Sequence, residues 1–173
     1  MSLKLENTVY HWLKILRIPV ASTFVKEKLL SHSDYPSLVS VTDLLDELAI
    51  ENASIVVDKE RVNELPVPFL AHTPGSKGGL IIVTNVKQLL ESRPSFLTEW
   101  DGVALMAEKP GVFKNAENDK WLAMEQKKKQ VIGITAMGFI SLAAFAVAIN
   151  FSWIMIVLLI TTLVGIGIAI LIA

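Results

Sequence analysis

Apolar positions follow two rhythms along this chain before filling its last quarter. Leu5, Val9, Trp12, Leu13 and Leu16 fall three and four residues apart, one face of a helix that ends before Pro19. A second helix is expected over Ser22–Ser31, with Ser22 or Thr23 as N-cap and Val25 and Leu29 inward. After the polar turn His32–Ser37, Ser40-Val41-Thr42-Asp43 reads as a capping box opening a third helix, whose apolar face is Val41, Leu44, Leu45 and Leu48. The rhythm then becomes two. Ala53–Val57 alternates and is β-branched, which predicts a strand, and Lys59–Asn63 allows no more than a helical turn. Phe69–His72 is expected as an edge strand, where Pro66 and Pro68 are tolerated, followed by a hairpin tip over Pro74–Gly79 and a strand over Leu80–Thr84. Val86–Glu91 reads as a short strand or turn, Pro94–Leu97 as the start of a short helix delivering Trp100, and Val103–Ala107 as a fourth strand. Pro110–Lys120 reads as a linker. Helices first and strands second predict an α+β domain with an antiparallel sheet.

From Val131 to Ala173 there is no Asp, Glu, Lys or Arg. Two apolar runs, Val131–Ile149 and Trp153–Ala173, flank Asn150-Phe151-Ser152. As helices they would each reach roughly 28–32 Å, near the thickness of a bilayer's hydrocarbon core. The expectation is a transmembrane helical hairpin with the lipid bilayer as its partner. Phe151 and Trp153 suit the membrane–water interface, and small residues such as Gly133, Ala136, Gly165 and Gly167 allow close helix approach. Lys127, Lys128 and Lys129 directly precede the first run and act as a topology signal that keeps residues 1–130 in the cytoplasm. No signal peptide is expected, since Lys4 and Glu6 interrupt the N-terminus. Because the apolar run continues to Ala173 without a polar anchor, the chain reads as a piece of a longer membrane protein.

Composition narrows the chemistry. The 173 residues carry a net charge of −1 with acids and bases interspersed, so no nucleic-acid-binding stripe is expected. There is no cysteine, which excludes disulfides, thiolate metal sites and a cysteine nucleophile within these residues. Asp43, Asp46 and Glu47 cluster, but they fall on the solvent side of a helix whose N-terminal dipole favours acids. Neither a metal site nor a cofactor is expected. The glycines of 74–79 join strand to strand, unlike a phosphate-cradling loop that opens a helix. His11 is expected to be a partly buried structural residue.

Five phrases, in order, carry a family resemblance: His32-Ser33-Asp34-Tyr35-Pro36-Ser37-Leu38, Leu44-Leu45-Asp46-Glu47-Leu48, Ile50-Glu51-Asn52-Ala53, Leu65-Pro66-Val67-Pro68-Phe69-Leu70-Ala71-His72 and Glu99-Trp100-Asp101-Gly102-Val103. Together they resemble the bacteriocin-processing cysteine peptidase domain that heads peptide-exporting ABC transporters. The wording is most similar to the degenerate variant fused to bacterial vitamin K epoxide reductase-like membrane proteins. The resemblance covers about residues 10–108 and implies a papain-like peptidase fold. It also implies a bacterial inner-membrane location. The family's nucleophilic cysteine falls where this chain reads Val20-Ala21-Ser22-Thr23, its histidine where it reads Gly79-Leu80-Ile81-Ile82-Val83, and its aspartate near Asn85-Val86-Lys87. All three matched positions lack the catalytic residue. A Ser22–His72 dyad is the one substitute the sequence offers, with His72 on a neighbouring strand and matched to a histidine that precedes the family's catalytic one.

The expected organisation is therefore a catalytically degenerate peptidase-like domain at 1–108, a linker with a basic juxtamembrane segment at 109–130, and two transmembrane helices at 131–173. The expected function is recognition of an extended peptide or a partner domain without catalysis, with Tyr35, His72 and Trp100 as groove residues. The alternatives are the head of a thiol oxidoreductase of the vitamin K epoxide reductase type, the head of a peptide exporter, and an assembly module without a ligand. The chemistry of the first two would lie beyond Ala173.

Overall fold

The computed structural model describes residues 4–74, 79–148 and 154–172. It divides into two compact units, Met1–Leu122 and Ala123–Ala173. The first unit opens with three helices, α1 (Leu5–Ile15), α2 (Ser22–Ser31) and α3 (Leu38–Glu47). Helices α1 and α3 end alike. Ile18 N–H donates to Leu13 O and Arg17 N–H to Lys14 O; Ile50 N–H donates to Leu45 O and Ala49 N–H to Asp46 O. Arg17 and Ala49 take the positive φ this double closure needs, 58° and 53°, and the next residues, Ile18 and Ile50, are buried against the core.

Four strands, β1 (Asn52–Val56), β2 (Phe69–Thr73), β3 (Gly79–Val83) and β4 (Val103–Ala107), form one antiparallel sheet in the order β1-β4-β2-β3. Successive side chains point to opposite faces, so the sheet feeds two cores. Leu70 and Leu105 join Val9, Trp12, Leu13, Phe24, Leu29 and Leu45 under the three helices. Phe69, Ala71 and Ala104 face the other way, onto Val62, Val83, Phe96 and Trp100. That second face is covered by a 3-10 turn at Lys59–Glu64 and two short helices, α4 (Val86–Ser92) and α5 (Phe96–Glu99).

The α+β class and the antiparallel sheet agree with the expectation, and four local expectations need correction. Val86–Ser92 is a helix, because Asn85 caps it by accepting Gln88 N–H at 3.1 Å. Helix α3 starts three residues before the expected box, with Ser37 Oγ accepting Ser40 N–H. Helix α2 takes Ala21 as N-cap and has no side-chain cap of its own. Strand β2 lies inside the sheet, since both prolines precede its first paired residue.

The expected linker ends early: Ala116–Lys120 already belong to α6 (Ala116–Ala148). Helix α7 spans Ile154–Ile172. Among the described residues no helix is long and apolar enough to cross a membrane. The first half of helix α6 carries charged residues from Glu117 to Lys129, and the described side chains of α7 run only from Met155 to Leu171. Residues 149–153 and 173, which complete both expected spans, lie outside the described residues. The transmembrane expectation is thus met only as two helices.

Candidate functional site

Strand β1 has β4 on one side and, among the described residues, no strand on the other. Its register decides which backbone groups are left over. Val57 N–H donates to Gly102 O and Glu108 N–H to Glu51 O, so the odd-numbered residues of β1 bond to β4. The N–H and C=O groups of Asn52, Ser54 and Val56 therefore point away from the sheet. Val56 is 80 % exposed, and Ala53 and Ser54 are exposed beside it. Gly102 makes the pairing possible: at φ +90° a Cβ would stand 2.8 Å from Val57 O. Beneath the edge lies a cavity of about 450 Å³ floored by Ile55, Val57, Leu65, Pro66 and Met106. Its rim carries Arg61, held to Glu64 at 2.6 Å. The pair raises the Arg61 guanidinium above its ordinary value and lowers the Glu64 carboxyl below its own, in both cases mainly by that hydrogen bond. An unpaired strand edge beside an apolar hollow can take up an extended backbone and seat one of its side chains.

The three expected groove residues do not converge. Trp100 is fully buried, stacked on Phe96 with ring centroids 5.7 Å apart, and its indole N–H donates to Val103 O at 2.8 Å. It is a core residue, because the cap of α5 turns its side chain under the sheet. Tyr35 packs with the helical core on the opposite face. Its hydroxyl donates to the buried Glu6 carboxylate at 2.7 Å. Burial first, and this hydrogen bond second, push the Tyr35 phenol up to about 12.

His72, near the end of β2, is half-buried, and its Nδ1 lies 2.5 Å from Asp101 Oδ2. The other oxygen of Asp101 accepts Val103 N–H at 3.0 Å, which fixes the carboxylate. Among the described residues the imidazole of His72 is oriented by Asp101 and has no hydroxyl bonded to it. Ser22 opens α2 half-buried and forms no hydrogen bond to His72 among the described residues. Position Gly79 pairs with Thr73 and carries no base. His11, expected to be partly buried, is exposed, since it lies on the face of α1 opposite the buried Val9, Trp12 and Leu13.

Comparison with known proteins finds likeness among solved structures. Among solved structures, the chain is similar to the peptidase domain of Streptococcus ComA, a bi-functional ABC transporter involved in a quorum sensing pathway. Identity is 18%, 60% of this chain and 88% of that chain are covered, and the TM-score is 0.44. No protein-family model matches. No curated protein matches either. So low an identity and score carry no argument about chemistry.

Sequence reasoning missed Asn118. This fully buried side chain accepts Ala21 N–H at 2.8 Å and donates to Pro19 O at 2.9 Å, two bonds of the kind a neighbouring strand would make. It caps α2 from the far end of the unit. Glu117 reinforces the clasp by meeting Lys28 at 3.0 Å, and Lys28 also meets Glu47 at 2.5 Å. These hydrogen bonds, to Glu47 first and Glu117 next, raise the Lys28 ammonium above its ordinary value. Lys127, Lys128 and Lys129 are exposed on α6. Among the described residues no three His, Asp or Glu side chains gather as a metal site.

Proposed function

We propose that this chain is a membrane-tethered, peptidase-like domain that binds an extended peptide or partner strand and does not cut it. The outward-facing backbone of β1 beside its apolar cavity is the observation that carries the recognition half. Cleavage would need a nucleophile and a base within hydrogen-bond reach, and the positions matched to the peptidase pattern read Ser22, Gly79 and Asn85. The degenerate papain-like assignment, and an origin in a larger bacterial inner-membrane protein, belong to this reading. The tether rests on the charge-free stretch from Val131 to Ala173, preceded by Lys127–Lys129. Positive charge before the first apolar run supports a cytoplasmic side for residues 1–130 in this reading. No residue is assigned a catalytic role.

The test uses the whole chain in lipid nanodiscs and a panel of hexapeptides alternating Val and Thr, titrated by calorimetry. Ser54→Pro removes an outward N–H without breaking a bond to β4. Binding that weakens more than about tenfold in S54P, where a hydrogen bond and its neighbours are lost, supports the edge. Equal binding by S54P, or peptide fragments in the cell, contradicts it.

A further inference from the structure

We infer that the groove between α6 and α7 is a binding site for an anionic phospholipid, its headgroup phosphate at Lys128 and one acyl chain along the groove. The inference rests on the membrane half of the reading above. The groove has a volume of about 490 Å³ and is walled on α6 by Ile132, Ala136 and Phe139 and on α7 by Gly165 and Ile168, with Lys128 at one end. From Lys128 to Phe139 it runs three turns of helix, about 16 Å, the reach of an extended fatty chain. Its inner end is set by Gly165. A Cβ there would lie 3.0 Å from Phe139 Cζ, so the glycine is what lets the ring seat against α7.

The walls leave little for a polar ligand to bond. Thr135, which also lines the groove, donates its hydroxyl to Val131 O at 2.8 Å within its own helix. Among the residues that line the groove Lys128 is the charged one, with Lys127 and Lys129 beside it in the sequence. An apolar trough with a cation at one mouth complements an amphiphile with an anionic head, and basic residues at a membrane boundary attract such lipids. A zwitterionic lipid fills the trough equally well and gains less at its mouth.

The whole chain in detergent micelles, mixed with phosphatidylglycerol or phosphatidylcholine and read by native mass spectrometry, tests this. The expected result is phosphatidylglycerol retained at least about fivefold over phosphatidylcholine, the factor for one lysine near a lipid surface. Lys128→Gln should erase the preference while keeping a lipid bound. Ala136→Trp, which fills the trough, should lose both lipids. Equal retention by the unaltered chain overturns the site, as does an unchanged preference in K128Q. Displacement of the lipid by inorganic phosphate alone, or a dimer that binds no lipid, also overturns it. Flotation of the same chain with neutral phosphatidylcholine vesicles separates the two failures. A chain that floats but shows no lipid preference keeps its tether and loses the site, and one that stays at the bottom of the gradient loses the tether.

Discussion

The two units handle the same apolar residue types in opposite ways. In Met1–Leu122, Val9, Trp12, Leu13, Phe24, Leu70 and Leu105 are fully buried, and every buried side-chain polar atom described has a hydrogen-bond partner. In Ala123–Ala173 no described residue is buried: Ile170 is 73 % and Leu171 89 % exposed. The first arrangement is what water selects, since removing apolar surface from it yields roughly 25 cal/mol per Å². The second gains nothing from water. Contiguous apolar surface on this scale is rare on a monomeric protein surrounded by water.

The largest expected effect comes from emptying the first unit's core. Trp100→Ala should cost about 3–5 kcal/mol, a large part of a small domain's stability, measured by urea denaturation of the chain in micelles. A smaller cost would mean that the second core is loosely packed. Ile166→Lys probes the other side of the contrast. In lipid it should cost about 2.5–3.5 kcal/mol of insertion and shift the chain out of floated vesicles. Val56→Lys, at a still more exposed position of the first unit, should change stability by no more than about 0.5 kcal/mol. If the two lysines behave alike, water surrounds both units. Asn118→Ala leaves Ala21 N–H and Pro19 O without their partner and should cost about 1–3 kcal/mol.

The smallest effect is a titration. The Tyr35 phenol, at about 12, lies above its ordinary value of 10.0. Its neutral form therefore favours the folded state fully below pH 10 and loses that contribution as pH rises toward 12. Glu6→Gln removes the second cause and leaves burial, the first. The phenolate absorbance midpoint should fall yet stay above the ordinary value. No fall would mean that burial alone sets it.

The sequence makes periodic elements legible and long-range partners obscure. Leu5, Val9, Trp12 and Leu13 announce the buried face of α1, and the alternation at Ala53–Val57 announces β1 within one residue. Val86–Ser92 misleads because seven residues hold too few periods, and a single cap at Asn85 decides for helix. The sequence leaves Trp100 open between a groove aromatic and a core residue, and its stacking on Phe96 decides for the core. Asp101 reaches His72 across 29 positions, and Asn118 reaches Ala21 across 97, so no local pattern signals either contact. The free edge of β1 follows from strand order, which local periodicity does not encode.

Amide hydrogen exchange of the whole chain in nanodiscs, with and without an alternating Val-Thr hexapeptide, tests recognition without cleavage most directly. The expected result is slowed exchange at Asn52, Ser54 and Val56, unchanged exchange at Ala53 and Ile55, and a peptide recovered at its full mass. Unprotected edge amides, or a shortened peptide, would contradict it.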